Sequence, residues 1–198
     1  MVITPLEIEG AWIAESPIWK DERGWFREWF KTSEIEKITD RKFDLEQANV
    51  SSSRINTVRG IHYSLAPKGQ AKWITCISGL IRDVVVDIRP NSATFGKWLA
   101  VDLTGNSGRS VFYEEGLGHG FISLEENSTL AYLETSAYSP KHEYSINPFD
   151  DTLNIDWEIP ANKCIVSQRD REAPGLYERL RQGVLPQITI NGIENERK

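Results

Sequence analysis

The sequence predicts an all-β fold, either a sandwich or a closed barrel of many short strands. From about Val50 to Ile159, short apolar or alternating runs follow one another, as in strands rather than helices. Turn-forming Gly, Pro, Asn and Ser residues separate these runs. A chain of 198 residues with 39% hydrophobic content can bury one sizeable core. We therefore expect a single domain over residues 1–198, with the β-rich core at about 45–160.

Strands are predicted wherever an apolar run is bounded by turn residues. The clearest are Lys72–Ile77, Leu80–Ile88, Trp98–Leu103, Ser110–Tyr113 and Leu130–Ala137. The intervening turns are Ser78-Gly79, Pro90-Asn91, Gly105-Asn106 and Ser139-Pro140. So many strands at short intervals favour two packed sheets or a closed barrel.

Helices are predicted in only two short segments, both outside the strand-rich middle. Ser33 followed by Glu36 fits a capping box ahead of one helix. The segment Gly175–Gly183 has leucines spaced by four residues and ends at glycine. The polar residues from about 188 to 198 are expected to form a frayed tail.

Composition restricts the class of partner and the compartment. A net charge of −6 argues against a nucleic-acid surface or a basic membrane patch, which need clustered Lys and Arg. The two cysteines, Cys76 and Cys164, are too few for a disulfide framework, and no signal peptide is recognisable. Charges interrupt every apolar stretch before it reaches the roughly 20 residues of a membrane span. We expect a soluble cytoplasmic protein that binds small molecules, without nucleic-acid or membrane partners.

The three histidines are the first candidates for chemistry. His62 follows a polar segment, and His119 lies among glycines that allow the backbone to approach a ligand closely. His142 lies in a turn-like stretch and is expected at the solvated surface. For His62 and His119, a core histidine bonded to a backbone carbonyl is an equally open interpretation.

Strand alternation adds further candidates. If the face shared by Ile74 and Cys76 is inward, Lys72 also points inward, where it would need an anion or a developing negative charge. Tyr132, Glu134 and Tyr138 share one parity, although Tyr132 taken alone could be a packing aromatic.

The motifs of metal and nucleotide cofactors are absent from the sequence. There is no His-x-His pair, no Gly-x-Gly-x-x-Gly and no Walker loop. We therefore expect neither a metal nor a cofactor.

Several separate motifs, in order along residues 3–186, resemble one known family. They are Asp21–Phe26, Gln47–Ser51, Arg59–Tyr63, Gln70–Lys72, Asp83–Arg89, Ser92–Trp98, Glu115–Phe121 and Ser167–Asp170. Together they closely resemble the dTDP-4-dehydrorhamnose 3,5-epimerase family. The resemblance implies a cupin-type double-stranded β-helix, or jelly-roll barrel, with a few short peripheral helices. It also implies a homodimer that works without a cofactor.

The resemblance assigns roles by position. It implies that His62 is the proton acceptor, that Asp170 orients its imidazole, that Tyr132 is the proton donor, and that Lys72 lies near the ketone oxygen. It implies substrate contacts at Arg23, Phe26, Glu28, Gln47, Asn49, Arg59, His119, Tyr138, Glu143 and Arg169, with Tyr138 stacking on thymine and Phe26 as an alternative aromatic there. Arg169 and Ser64 stand where the family often has lysine and glutamine. The guanidinium of Arg169 keeps the positive charge with a different geometry.

The implied reaction inverts C3 and C5 of dTDP-4-dehydro-6-deoxy-D-glucose to give dTDP-4-dehydro-L-rhamnose. A hydrogen next to a ketone can be removed as an enolate forms, which requires a base, an oxyanion partner and an acid. The same residues would also serve an enzyme that inverts only C3 or only C5. A 3,4-ketoisomerase and a sugar-nucleotide-binding cupin without turnover are further alternatives.

Overall fold

The fold consists of two large antiparallel sheets that face each other. The computed structural model describes residues 1–66 and 69–187. The first sheet has the spatial order β1 (Val2–Pro5), β2 (Ala11–Glu15), β10 (Arg109–Tyr113), β7 (Lys72–Ser78), β12 (Ser128–Glu134) and β5 (Gln47–Ser53). The second has the order β13 (Glu143–Ser145), β6 (Val58–Ser64), β11 (Leu117–Ser123), β8 (Leu80–Asp87) and β9 (Trp98–Thr104). Strands β3 (Trp19–Asp21) and β4 (Gly24–Phe26) form a separate hairpin.

This architecture confirms the predicted all-β, cupin-type jelly roll with short peripheral helices. Each of the five predicted strands is present, with ends that differ by a few residues. The largest difference is at β12, which ends at Glu134 rather than Ala137, so Tyr138 lies beyond the strand.

The space between the sheets is filled by apolar side chains from both. Ile74 and Leu130 of the six-stranded sheet pack with Val85 and Phe121 of the five-stranded sheet. All four are at most 2% exposed, so they exclude water from the barrel interior. Fully burying one such side chain contributes about 1.5–3 kcal/mol.

The outer faces of both sheets are covered as well. Behind the five-stranded sheet, Ile61 and Tyr63 pack against C-terminal residues such as Trp157 and Leu176. Behind the six-stranded sheet, Trp73 and Phe112 pack against Phe43 from the chain before β5. Because both faces are covered, consecutive residues are buried in the middle of β7 and along most of β8.

The helices contradict one prediction and confirm another. Helix α1 (Thr32–Thr39) begins before Ser33, and its N-cap Lys31 makes no side-chain capping bond, so the predicted capping box is wrong. Helix α3 (Leu176–Arg181) confirms the second predicted segment. Helix α2 (Gln168–Arg171) and a 3₁₀ turn at Ala161–Lys163 were not predicted, because a single turn is too short to show helical periodicity.

Strands also form before the strand-rich middle that the sequence predicted at about 50–159. Strands β1 and β2 extend the six-stranded sheet through pairing of β2 with β10. The predicted frayed tail at about 188–198 lies outside the described residues. No helix within the described ranges is long and apolar enough to cross a membrane.

Candidate active site

A cavity of about 240 Å³ opens at one end of the barrel. Its lining combines charged, amide and aromatic side chains from both sheets and from α2. They are Gln47, Asn49, His62, Gln70, Lys72, Glu134, Tyr138, Glu143, Tyr144 and Arg169. The sequence-predicted base, lysine and several substrate contacts therefore meet in one place.

His62 points into the space between the sheets because of its position on β6. Its neighbours Ile61 and Tyr63 pack into the outer cluster behind the sheet, and alternation turns His62 to the opposite face. The Nε2 atom of His62 lies 2.7 Å from Oδ1 of Asp170. The His62 side chain remains 39% exposed, whereas that of Asp170 is 5% exposed. The imidazole is thus held by the buried carboxylate of Asp170 while it stays open to the cavity.

Asp170 is brought to His62 by the chain segment that follows the barrel. A parallel bridge joins Ile165 to Thr57 just before β6, and Ser167 then caps α2 by accepting a hydrogen bond from the Asp170 amide. Burial raises the pKa of Asp170, but hydrogen bonds from His62, Ser167 and the Gly60 backbone outweigh burial and leave the pKa below its usual range. Asp170 is therefore ionised at neutral pH and can only accept from His62.

Lys72 and Glu134 form an ion pair on the opposite wall of the cavity. The Nζ atom of Lys72 is 3.4 Å from Oε1 of Glu134, and the two residues are cross-strand neighbours on β7 and β12. Both side chains are largely buried, at 14% and 8% exposure. The lysine thus presents a positive charge beside a cavity that His62 also lines.

Tyr132 lies two residues before Glu134 on β12, on the same face of the strand, and faces the barrel interior. It stands opposite the core residue Ile74, and its hydroxyl is 3.0 Å from Oγ of Ser51 on β5. Burial raises the pKa of Tyr132 well above the usual tyrosine value, while the bond to Ser51 lowers it in part. The phenol is therefore protonated at neutral pH and can act as a proton donor.

His119 connects Tyr132 with His62. His119 stands opposite His62 in the β6–β11 register, so both imidazoles share the inward face. The ring of His119 meets the Tyr132 ring edge to face, with centroids 6.3 Å apart. The other side of His119 is fixed, because its Nε2 atom is 2.8 Å from Oδ2 of Asp83. His62 and Tyr132 are therefore both neighbours of His119.

A second cavity, of about 500 Å³, adjoins the first at His62 and Arg169. It is lined by residues before and within β6 and by the segment leading into α2, including Arg59 and Asp170. The Arg59 side chain is held by bonds from Nε to Ser53 Oγ (3.1 Å) and from Nη2 to the Ser52 carbonyl (3.3 Å). The guanidinium groups of Arg54, Arg59 and Arg169 thus line this cavity, a suitable setting for a diphosphate.

Four predicted substrate contacts and the predicted proton donor Tyr132 do not line either cavity. Among them, His119 and Tyr132 lie against each other in the barrel interior. Arg23 and Phe26 lie on the exposed β3–β4 hairpin, and Glu28 follows it. The Arg23 guanidinium pairs with Asp21 instead, and Phe26 is 67% exposed. Tyr138 and Glu143, by contrast, line the first cavity.

Several residues of the site were not predicted from sequence. Asp83 and Tyr113 contact the predicted His119 or its partner, and Ser51 contacts the predicted Tyr132. Glu134 was a candidate from strand alternation, but its pairing with Lys72 was not predicted. An acid directly before the apolar residues Val84–Val86 of β8 was a usable signal for Asp83, since a buried carboxylate needs partners. Within residues 1–66 and 69–187, no group of three or more His, Cys, Asp or Glu residues could hold a metal ion.

Comparison with known proteins identifies the family. The family model described as dTDP-4-dehydrorhamnose 3,5-epimerase matches residues 5–178. A protein of Mycolicibacterium smegmatis with the name dTDP-4-dehydrorhamnose 3,5-epimerase is 42% identical over 187 residues, covering 94% of this chain and 91% of that protein. The solved rmlC epimerase of Mycobacterium tuberculosis has a TM-score of 0.90 at 38% identity and covers 94% of both chains.

A relative with a narrower reaction is equally similar. The structure of a 3′-monoepimerase from Streptomyces bikiniensis in complex with dTDP-quinovose has a TM-score of 0.88 at 42% identity, with 92% of each chain covered. Both relatives are dTDP-sugar epimerases, which are isomerases. From its matched residues, its fold and these relatives, the chain belongs to the dTDP-4-dehydrorhamnose 3,5-epimerase family.

Proposed function

We propose that this epimerase inverts both C3 and C5 of dTDP-4-dehydro-6-deoxy-D-glucose and yields dTDP-4-dehydro-L-rhamnose. The observation that carries the proposal is the pairing of His62 with Asp170 beside a cavity that Lys72 also lines. A ketone at C4 activates the hydrogens on both neighbouring carbons. One base beside one oxyanion partner can therefore act on C3 and on C5, if the sugar ring reorients between the steps.

His62 is the proposed base, and its free nitrogen is Nδ1. Because the ionised Asp170 can only accept a hydrogen bond, the Nε2 atom of His62 carries the hydrogen between them. The lone pair of Nδ1 is then available to remove the proton next to the ketone. Once the imidazolium forms, the carboxylate 2.7 Å away stabilises its charge.

Lys72 and Tyr132 complete the proposed proton transfer. Negative charge collects on the C4 oxygen of the enolate, where the Lys72 ammonium can stabilise it. Tyr132 returns a proton to the opposite face of the ring, which inverts the centre. Its contact with His119, the cross-strand neighbour of His62, supports this division of roles.

The nucleotide half of the substrate is assigned to the rim of the two cavities. Arg59, Arg169 and His119 are the proposed diphosphate and sugar contacts, and Gln47, Asn49 and Glu143 the further polar contacts. Tyr138 lines the first cavity with its ring 55% exposed, which suits stacking on thymine. The chain is proposed to require no cofactor.

The proposed assembly is a homodimer. Arg23, Phe26 and Glu28 lie away from both cavities of their own chain, on and after an exposed hairpin that also carries Trp19 and Trp25. Large exposed aromatic side chains in one patch favour an interface. Light scattering coupled to gel filtration tests this part, and a monomeric mass at micromolar concentration contradicts it.

A single inversion at C3 is the second candidate function. The similarity to a 3′-monoepimerase at the same 42% identity favours it, because the residues assigned to base, acid and oxyanion partner do not depend on the number of inversions. Proton NMR in deuterium oxide separates the two. We expect deuterium at both C3 and C5 of the product. Label at C3 alone supports the single epimerase, and absence of label contradicts both.

A further inference from the structure

Glu134 is a buried carboxylate that gathers three polar side chains of the first cavity. Its Oε1 atom is 3.4 Å from Lys72 Nζ, and its Oε2 atom accepts hydrogen bonds from Gln47 Nε2 (3.2 Å) and Asn49 Nδ2 (2.8 Å). The Glu134 side chain is only 8% exposed, yet it lines the cavity together with all three partners.

The strand order explains why one residue can reach both sides. Strand β12 lies between β7 and β5, and Glu134 stands opposite Lys72 on one side and Gln47 on the other. Residues directly opposite have Cβ atoms about 4.5–5.5 Å apart. Asn49 is two residues along β5 and shares the face of Gln47. The geometry of the sheet thus fixes these donors around a single carboxylate.

Glu134 also supplies the counter-charge for the ammonium group of Lys72. An ammonium that is 14% exposed is costly without a counter-charge, and Glu134 supplies one. An ammonium group has three N–H donors, so one bond to Glu134 leaves others to face the cavity. The carboxylate therefore holds the Lys72 side chain in place and leaves some of its donors free.

We propose that Glu134 is a positioning residue that holds Lys72, Gln47 and Asn49 as one unit facing the 4-keto sugar. The inference rests on the proposed function, because it takes Lys72 as the partner of the enolate oxygen. As negative charge develops on that oxygen, the free donors of Lys72 shift toward it while Glu134 keeps the side chain in place. Glu134 itself exchanges no proton and acts only through its neighbours.

The test is a double-mutant cycle of Glu134→Gln and Lys72→Met. Rates of deuterium incorporation at saturating dTDP-4-dehydro-6-deoxy-D-glucose give kcat, and the concentration dependence gives KM. We expect Lys72→Met to lower kcat about a hundredfold or more, since an oxyanion partner is lost. Glu134→Gln should lower kcat about tenfold to a hundredfold through misplacement of Lys72. The double variant should have the kcat of Lys72→Met alone.

KM supplies a second readout. Glu134→Gln should raise KM in both backgrounds, because a neutral amide oxygen holds Gln47 and Asn49 more weakly than a carboxylate does, whether or not Lys72 is present. Glu125→Gln, which removes an exposed carboxylate just before β12, is the matched control and should leave kcat and KM unchanged. If Glu134→Gln alone does not fold, the double variant, which leaves no unpaired buried charge, is compared with Lys72→Met.

The outcomes separate the two proposals. If the wild-type protein exchanges no hydrogen, the proposed function fails and this inference fails with it. If the wild-type protein is active but the two kcat losses multiply in the double variant, Glu134 acts independently of Lys72 and the positioning role is wrong. A wild-type kcat in Glu134→Gln overturns it as well.

Discussion

The Nε2 atom of His62 lies 2.7 Å from Oδ1 of Asp170, although 108 positions separate the two residues in the sequence. The contact depends on a single parallel bridge, Thr57 to Ile165, which lays the C-terminal segment beside β6. The barrel therefore supplies the imidazole, and a segment outside the sheets supplies its carboxylate. This division lets the base stay exposed to the cavity while its partner is buried.

Replacing His62 with alanine should abolish most hydrogen exchange at both C3 and C5. Removing a general base costs about a hundredfold to ten-thousandfold in rate. Proton NMR of the substrate in deuterium oxide measures the loss. The matched control is His142→Ala, since His142 binds the Ser139 hydroxyl and does not line either cavity. Wild-type exchange in His62→Ala, or an equal loss in the control, contradicts the assignment.

Replacing Asp170 with asparagine should place the His62 proton on the wrong nitrogen. An amide can donate to Nε2, which leaves Nδ1 protonated and unable to act as a base. We expect kcat to fall about a hundredfold to ten-thousandfold. Nitrogen NMR of the imidazole should show the change of tautomer, and Asp151→Asn, an exposed substitution, serves as control. An unchanged tautomer with an unchanged kcat would rule out this role for Asp170.

Replacing Tyr132 with phenylalanine should separate proton removal from proton return. His62 can still remove the substrate hydrogen, so deuterium exchange continues, but inversion becomes incomplete or altered. The lost bond to Ser51 should lower the free energy of unfolding by about 1 kcal/mol. The product ratio is measured by NMR coupling constants, with Tyr177→Phe as an exposed control. Complete inversion at the wild-type rate would contradict the role of Tyr132 as proton donor.

The strands that line the core were predictable because their side chains alternate with a period of two. That period placed Lys72 and Tyr132 on inward faces, where the register of β7 and β12 puts them. Strands β1 and β2 were missed because they are only four and five residues long and are partly exposed, so their alternation is weak. The capping box at Ser33 failed because local propensity does not fix the first residue of a helix.

The partners of the site residues were less predictable than the residues themselves. Asp83 contacts His119 on the neighbouring strand β11 at 2.8 Å and the Tyr113 hydroxyl on the facing sheet at 2.7 Å. Such contacts arise from the packing of two sheets and leave no fixed spacing in the sequence. The pairing of Asp170 with His62 was predicted only from the resemblance to a family, because it too leaves no fixed spacing in the sequence.

Replacing Gly60 with alanine should destabilise the protein and disturb His62. Gly60 has φ +121°, and an added Cβ would lie 2.5 Å from the Cα atom of Gly120 on the neighbouring strand. Backbone cannot yield to such an overlap cheaply, so β6 must shift. Gly24→Ala is the matched control, because its φ is +131° but nothing lies within 4 Å. Urea unfolding should show a larger loss at Gly60, and equal losses would mean that only the dihedral angle matters.

Replacing Asp87 with alanine should cost about 3–5 kcal/mol of stability, because the buried guanidinium of Arg89 then has no counter-charge. Arg89 holds both carboxylate oxygens of Asp87, at 2.8 and 2.7 Å. Burial raises the pKa of Asp87, but bonds from Arg89, Ser92 and Thr94 outweigh burial and hold the pKa below its usual range. This stabilisation is therefore present above the unfolded pKa of about 3.9 and is lost as the pH falls through the lower folded value.

The difference in unfolding free energy between wild type and Asp87→Ala should accordingly be largest near neutral pH and shrink below about pH 4. Urea titrations at pH 7, 5, 4 and 3 measure it. Asp102→Ala, which breaks an ion pair with Arg82 in which Asp102 is 48% exposed, is the control and should cost at most about 1 kcal/mol. A difference that stays constant from pH 7 to pH 3 would show that the carboxylate is not held ionised by the Arg89 network, and that the loss in the variant comes from packing alone.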